Sequence, residues 1–452
     1  MKKGFRFFLL VLLVLPFGCD KTKDTLLLRS LTHKSTEYEG RLAHEWMDLG
    51  HQMIRENNLY GPQAARTFGY LGLTTWEAVC HGIEGGKSLA GQVNDYPTAA
   101  LYETDRVYDW GIVLCSAMKV VFPALLENIN NAQRSKVDVL AAQQEDQLMQ
   151  KGGLSEQVRL DSKDLGNRIA NRIVDRIRKD GREVIRNIVP VIPARDTEHP
   201  WYWDPSTLGQ TPVEPMWGTL RTFIIDNAQS CEPEPPLPYS ETPGSDFYKD
   251  ADEVHDVDRS PANKAIAYHW ENGVGRTSGP GGHWMKIAQQ LLENDNRSLA
   301  DCAKTYCLTG FATADGFSAC WFSKYKYFML RPVTYIREVI DPNWMSLINT
   351  PPYPDYISSS AVMGAACPSV LIPIFGDVGF VDRTQLGSPL YTPEGGPTIL
   401  PERSFSSLTQ AGEEAAFSRV IGGVHFRRAC EEGLKSGHCI ATTILARTDF
   451  GF

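Results

Sequence analysis

Lys324-Tyr325-Lys326-Tyr327-Phe328-Met329-Leu330-Arg331-Pro332 opens the part of the chain on which its reading turns. Lys324 and Arg331 are seven residues apart, two turns of a helix, so both cations are expected to project from one face. Further on comes Pro351-Pro352-Tyr353-Pro354-Asp355-Tyr356-Ile357-Ser358-Ser359-Ser360-Ala361. It reads as a rigid Pro-rich approach, then small hydroxyl residues, then an apolar helix from Val362. Backbone amides at such a helix start form a nest for an anion. Ser418-Arg419-Val420-Ile421-Gly422-Gly423-Val424-His425 completes the set. Two arginines, a lysine, a helix N-terminus and an imidazole are what a tetrahedral oxyanion requires. Guanidinium forks hold oxygens in pairs, the ammonium acts as a point charge, and the imidazole can attack or ligate along the remaining axis. Taken singly, the Lys–Arg pair reads as a solvated face, the histidine as a structural residue and the serines as a loop. The order and spacing of the three blocks carry the signal.

The rest of the chain suits such a local site. Its 452 residues are 42% hydrophobic and 22% charged, enough to bury a sizeable core. Lys+Arg 45 against Asp+Glu 54 gives a net charge of −9, which argues against nucleic acid as a partner because there is no cation excess to displace counterions. Apolar residues recur at three- and four-residue intervals between Ala43 and Ile83, as at Trp46, Ile54, Ala65, Leu71, Trp76 and Val79. Ile169, Ile173 and Ile177 repeat every four residues within Leu165–Lys179, and Gly181 is a natural stop. Helical character returns over Lys264–Trp270, His283–Glu293, Leu299–Tyr327, Met363–Ile374 and about Leu408–Arg447. Residues 188–217 and 231–247 are rich in Pro, Trp and Ser without either period, and read as long ordered loops. Strand signals are scarce. The expectation is an all-α fold, a single large helical-bundle domain over 43–452, with a double bundle as one form of it.

Two phosphate-binding look-alikes fail. Gly85-Gly86-Lys87-Ser88 ends like a P-loop, but the first glycine position holds His81 and the preceding residues read as helix rather than strand. Gly279-Pro280-Gly281-Gly282-His283 is not a dinucleotide fingerprint and reads as a turn into the helix at Trp284.

The beginning of the chain gives an address. Lys2, Lys3 and Arg6 precede an apolar run from Phe7 to Phe17, too short to span a bilayer as a helix. With the small-residue break at Gly18-Cys19 this reads as a lipoprotein-type export signal over 1–18, with Cys19 lipidated and 19–42 a flexible tether. Pro16 departs from that pattern, standing where a leucine is usual. The expected location is therefore that of an exported bacterial lipoprotein, periplasmic or anchored to the outer membrane, touching membrane only through its N-terminal lipid. Nine cysteines remain after Cys19, an odd number, so at least one stays free if the others pair. No CxxC occurs, and most cysteines lie in apolar stretches where they read as small buried hydrophobes.

Together the three blocks resemble the tripartite motif K-x6-R-P, P-S-G-H, S-R-x5-H of the type 2 phosphatidic acid phosphatase and vanadium haloperoxidase superfamily. With Gly281-Gly282-His283-Trp284 and Pro351-Pro352-Tyr353-Pro354, the chain looks most like the soluble vanadium-dependent haloperoxidase branch, strongly over 321–440. The resemblance implies that Lys324, Arg331 and Arg419 neutralise bound vanadate or phosphate, with Ser358 and the backbone of Ser359 completing the cradle. It implies that His425 is the vanadium ligand, or the nucleophile of a phosphatase. Trp321 and Tyr353 match aromatic positions flanking the halide pocket in the fungal pattern. Two departures stand out. Ser360 occupies the position of the acid–base histidine and Ser359 that of the glycine, and a serine hydroxyl does not titrate near neutrality as an imidazole does. Ala429, four residues past His425, stands where the fungal pattern has an aspartate that orients the histidine. A backbone carbonyl or solvent would then fix the tautomer.

Three functions follow. The first is a vanadium-haloperoxidase-like enzyme with vanadate as cofactor and hydrogen peroxide and halide as substrates. The second is an acid phosphatase acting on a phosphate ester through a phosphohistidine. The third is a catalytically weakened oxyanion-binding lipoprotein.

Overall fold

A computed structural model describes residues 33–98, 100–126, 128–205, 210–391 and 397–452. The export segment 1–18, Cys19 and the tether up to residue 32 lie outside the described residues. Residues 33–42, read as the end of the tether, are packed instead. Ser35 is buried and donates to the Val79 carbonyl at 2.8 Å, and Glu39 bridges to Ser298.

Fourteen helices are described. They are α1 (Arg41–Glu56), α2 (Gly61–Val79), α3 (Trp110–Leu125), α4 (Asn131–Gly152), α5 (Glu156–Lys179), α6 (Arg182–Ile185), α7 (Asp246–Asp256), α8 (Pro261–His269), α9 (Gly279–Asn294), α10 (Leu299–Tyr327), α11 (Pro332–Val339), α12 (Ser359–Phe375), α13 (Leu408–Ile421) and α14 (Arg427–Arg447). Four three-residue strands pair as two antiparallel ladders between α12 and α13. In β1 (Phe380–Asp382) with β4 (Arg403–Phe405), Phe380 stands opposite Phe405. In β2 (Pro389–Tyr391) with β3 (Pro397–Ile399), Leu390 stands opposite Thr398. The all-α expectation holds, with these ladders as a small excursion.

Helix α10 is the axis. It begins at a reciprocal cap, Ser298 with Asp301, and is buried along most of its length. A helix apolar or small on every side belongs in the middle of a fold. One side packs on α2, where Gly72 and Gly310 let the two backbones touch. Another side packs on α12, which is itself clasped by α13 and α14. Helices α3, α4 and α5 extend the bundle beyond α2. Among the described residues one apolar cluster runs through these layers from Leu42 to Phe450, and a smaller one joins α8, the loop between α11 and α12, and the end of α13.

Two helices carry little readable period in the sequence, each for its own reason, and a third, α7, buries Phe247, Ala251 and Val254 at helical spacing. Helix α3 is apolar nearly all round because it is buried on most faces, and α4 is polar on most faces. Helix α7 is a short surface helix. The described parts of the first loop, 188–205 and 210–216, and residues 231–245 of the second are coil, as their composition indicates, while residues 246 and 247 open α7. The first loop is held by backbone and indole bonds to the core: Trp203 N to Phe328 O at 2.6 Å, Val213 N to Pro352 O at 3.1 Å, and Trp321 Nε1 to Val213 O at 3.0 Å. Cys231 is joined to Cys439 by a disulfide, while Cys80, Cys115, Cys302, Cys307, Cys320, Cys367 and Cys430 are free and buried. Among the described residues no helix is long and apolar enough to cross a membrane.

Two glycines of α14 set how closely it approaches α12. A Cβ on Gly437 would stand 2.4 Å from the Val362 carbonyl, and one on Gly433 would stand 2.9 Å from the Ser358 carbonyl. Gly437→Ala should therefore force the helices apart and lower stability by about 1–3 kcal/mol, as overpacking does. Thermal unfolding followed by circular dichroism should show a lowered midpoint, and an unchanged midpoint would contradict this contact.

Candidate active site

The C-terminal end of α10, the Pro-rich segment, the start of α12 and the turn after α13 converge at one place. They do not do so by the route first read from the spacing. Lys324 is on the last turn of α10, but the helix stops at Tyr327, and Phe328 takes a left-handed conformation with φ +49°. The chain then runs extended to Arg331, which is the N-cap of α11 at φ −83°, ψ 153°. The two cations thus share no helix face, and a chain reversal brings them together. Both approach the Tyr353 ring, with Lys324 Nζ 5.1 Å and Arg331 Cζ 4.9 Å from its centroid.

The Pro-rich segment holds the cations with its carbonyls. Lys324 Nζ donates to Pro354 O at 2.9 Å and to Asp355 O at 2.8 Å. Arg331 Nε donates to Tyr353 O at 2.8 Å, and Nη1 donates to Val424 O at 2.6 Å. Arg331 Nη2 is buried without a partner. Helix α12 begins at Ser359, three residues earlier than its apolar pattern indicates. Ser358 is its N-cap, accepting from Ala361 N at 3.4 Å. Ser359 and Ser360 occupy the first turn, where backbone amides lack intrahelical partners.

Arg419, near the end of α13, is buried, with Nε donating to Ser418 Oγ at 3.1 Å and Nη2 to Ala267 O at 3.3 Å. The helix ends in Gly422-Gly423, the second at φ +73°, and this turn delivers His425. His425 N bonds back to Arg419 O at 3.4 Å, and Nε2 lies 3.1 Å from Arg331 Nη1.

Asp355 was quoted in the sequence without a role, and it is the residue that faces His425. The imidazole hydrogen-bonds the Asp355 backbone, and Nδ1 lies 2.9 Å from Oδ1. The carboxylate contact lacks well-aligned hydrogen-bond geometry. A carbonyl therefore helps fix the tautomer, as one of the two sequence alternatives held, with a carboxylate beside it. Ala429 acts elsewhere, accepting the Ser358 N–H at 3.0 Å. Asp355 could have been found from its position, an acid enclosed in an apolar, Pro-rich run three residues before the helix cap.

These residues border a cavity of about 1040 Å³ whose wall includes Tyr353, Ser359, Ser360, Arg419, Val424 and His425. Lys324, Arg331 and Ser358 are fully buried and do not line it. Trp321 does not line the cavity, because its ring packs 4.9 Å behind that of Tyr353.

Burial sets the electrostatics. It pulls the Lys324 ammonium down to about 7, with Arg331 lowering it further and Cys320 and Asp355 opposing. It raises Asp355 to about 7 against the pull of Arg331 and Lys324. It drives His425 well below the usual imidazole range, helped by Arg331, Lys324 and Arg419, so the ring is neutral at physiological pH. The outcome is a pocket walled by Arg419, the helix-start residues Ser359 and Ser360 and an unprotonated imidazole, with Arg331 and its free Nη2 against that imidazole and Lys324 bonded to the Asp355 carbonyl. That donor set suits a tetrahedral oxyanion.

The comparisons bear on the fold that carries this pocket. Residues 304–450 match the family model described as the second helical-bundle domain of VCPO. The structure is similar to that of the first bacterial vanadium-dependent iodoperoxidase, with a TM-score of 0.79 and 29% identity, over 92% of this chain and 98% of that one. It is also similar to a bacterial vanadium-dependent chloroperoxidase. The holo form gives a TM-score of 0.61 at 18% identity over 86% of this chain and 93% of that one. The apo form gives 0.59 at 19% identity over 86% and 96%. At such identities the chloroperoxidase likeness speaks to the fold. No curated protein sequence matches.

The charge state of the pocket makes a pH prediction. Anion binding favours protonated Lys324 and protonated Asp355, and each loses its proton as pH climbs through about 7. Sulfate, which keeps its charge across neutrality, should bind more weakly by roughly tenfold or more between about pH 6 and pH 9. Lys324→Met should lower affinity at pH 6 and flatten the slope. Calorimetric affinities that stay level or rise with pH would contradict the assignment.

Proposed function

Since the chain belongs to the vanadium haloperoxidase and type 2 phosphatidic acid phosphatase superfamily, we propose that it is a vanadium-haloperoxidase-like enzyme that uses hydrogen peroxide to oxidise a halide. The observation that carries this reading is the neutral His425 imidazole, with Nε2 3.1 Å from Arg331 Nη1 on the wall of a cationic cavity. Vanadate fits the donor set on chemical grounds. It has the shape and charge of the anion the pocket accommodates, and Arg331 Nη2 is a buried donor that an oxyanion would satisfy. Bound vanadate would supply a Lewis-acidic centre that activates peroxide.

The protein's part is to hold charge and protons. Arg331, Arg419 and Lys324 neutralise the anion, and the Ser358 hydroxyl with the Ser359 amide completes the cradle. His425 presents its Nε2 lone pair, while Asp355 holds the other side of the ring through its backbone and nearby carboxylate. Ser360 lends a hydroxyl to the cavity wall where the family motif has a histidine, so it donates a hydrogen bond without titrating near neutrality. Tyr353 borders the space in which a halide would approach, and Trp321 supports it from behind. Weak proton delivery suits the most easily oxidised halide, and the structural relative at 29% identity is an iodoperoxidase. Iodide is therefore the halide of choice for this site.

Export belongs to the same proposal. The signal-like start with Cys19 argues for an exported lipoprotein, and the Cys231–Cys439 disulfide supports an oxidising compartment.

The experiment is a vanadate-loaded peroxidase assay on the purified protein with iodide, then bromide. Iodide-dependent turnover that requires both vanadate and peroxide is expected. His425→Ala should abolish it, and Ser360→His should raise it by about tenfold or more by restoring an acid–base imidazole. Release of phosphate from an aryl phosphate, inhibited by vanadate and without halide turnover, would overturn the proposal in favour of a phosphatase.

A further inference from the structure

The Gly281-Gly282-His283-Trp284 block has no part in the oxyanion cage, yet His283 sits in a second cluster behind the cavity wall. His269 closes α8, His283 lies in the second turn of α9, and Asp382 ends β1. All three are buried. His269 Nε2 lies 2.9 Å and His283 Nε2 2.6 Å from the same oxygen, Asp382 Oδ2. The three donor atoms lie within 4.8 Å of one another.

The surroundings fix which atoms are offered. Asp382 Oδ1 is occupied, accepting from Thr384 N at 2.8 Å and from Gln290 Nε2 at 3.3 Å, so Oδ2 is the oxygen left toward the imidazoles. Asn272 Nδ2 donates to Trp270 O at 3.1 Å, which turns its Oδ1 toward His283 Nδ1 at 3.2 Å. Nδ1 of His283 therefore carries the hydrogen, and Nε2 offers a lone pair toward Oδ2. The Trp270 ring stacks on that imidazole at 4.6 Å and holds its plane. A nitrogen lone pair facing a carboxylate oxygen needs a cation between them. An imidazole whose far N–H is held by an amide carbonyl is the usual arrangement of a metal-ligating histidine.

We propose that His269 Nε2, His283 Nε2 and Asp382 Oδ2 bind a divalent first-row transition metal ion, with zinc as the best fit to two imidazoles and one carboxylate. Metal–donor distances of about 2.0–2.1 Å ask the donors to part by roughly half an ångström, within side-chain freedom. A fourth position is left for water. The ion would act as a staple. Its ligands flank the 270–278 loop, whose Glu271, Asn272 and Val274 line the same cavity as Arg419. Gln385, three residues past Asp382, already ties that loop down by donating to His269 O and Glu271 O, each at 2.8 Å.

The test is a titration of the full chain, stripped with chelator, with zinc alone by calorimetry and with cobalt by visible absorption. One tight equivalent and a tetrahedral-type cobalt spectrum are expected. Asp382→Asn and His283→Gln should each weaken zinc by about 100-fold or more. Asn272→Ala, at the wall and remote from the core packing, should weaken it by about 10–100-fold, so the result does not hang on buried variants that fail to fold. His255→Ala, in the half-buried Asp252/His255/Asp256 cluster, should change nothing. Absence of zinc binding in the folded wild type, retention of full affinity in Asp382→Asn, or loss of binding on His255→Ala would each overturn the proposal. The competing occupant is a proton shared by His283 and Asp382, and nitrogen NMR showing both His283 nitrogens protonated whether or not zinc is added would establish it instead.

Discussion

Three permanently or conditionally positive side chains share one buried place, and the surrounding structure is arranged around that burden. Charges taken out of water are tolerated when their donors are satisfied and an opposite charge is near. Here the donors go largely to backbone carbonyls: Tyr353 and Val424 for Arg331, Pro354 and Asp355 for Lys324, and Ala267 for Arg419. Helical carbonyls are mostly taken up inside their own helices, so free ones must come from irregular chain. That is a physical reason for a Pro-rich segment against the end of α10. Proline cannot donate and breaks the helix, leaving carbonyls aimed sideways at cations.

The same constraint explains why the cage is built at element ends. Lys324 is on a last turn, Arg331 is an N-cap, Ser358 is another, Arg419 is in a last turn, and His425 follows a Gly-Gly reversal. Such positions give short lever arms for aiming side chains at one point while the helices behind them pack on α10. Close packing there depends on glycine at 433 and 437, so the position of the α12 start is coupled to the α14 contact.

Legibility followed the range of the interactions involved. Helix α10 was readable to its ends, because its cap and its loss of pattern are local features. The cage residues were named as a set from order and spacing; the structure puts Ser359, Arg419 and His425 on one cavity wall and Arg331 against His425, while Lys324, Arg331 and Ser358 are buried off that wall. What failed was the geometry joining Lys324 to Arg331, since a seven-residue spacing cannot reveal that Phe328 reverses the chain. Asp355 stayed hidden because its partner His425 is distant in sequence and the contact exists only in three dimensions. The pairing of Cys231 with Cys439 was invisible for the same reason. Helices α3 and α4 escaped because α3 is buried on most faces, while the buried face of α4 is half polar, with Gln133 and Gln144 beside Val137 and Ala141.

Replacing the motif histidine by Ser360 shifts where protons can reside rather than removing them from the site. His425 is driven well down by burial and the neighbouring cations, so it stays unprotonated over the neutral range. The arginines, though lowered by burial, start from too high a value to titrate there. Among these cage groups that leaves Lys324 and Asp355, both brought to about 7 by burial from opposite directions. They are adjacent, because Lys324 Nζ bonds the Asp355 carbonyl while the Asp355 carboxylate faces His425. Adding an anion raises the lysine and the aspartic acid together, since both respond to the same field. Protonation of this pair is thus coupled to occupancy of the cage. A non-titrating residue at 360 leaves that coupling as the route by which pH acts on the site.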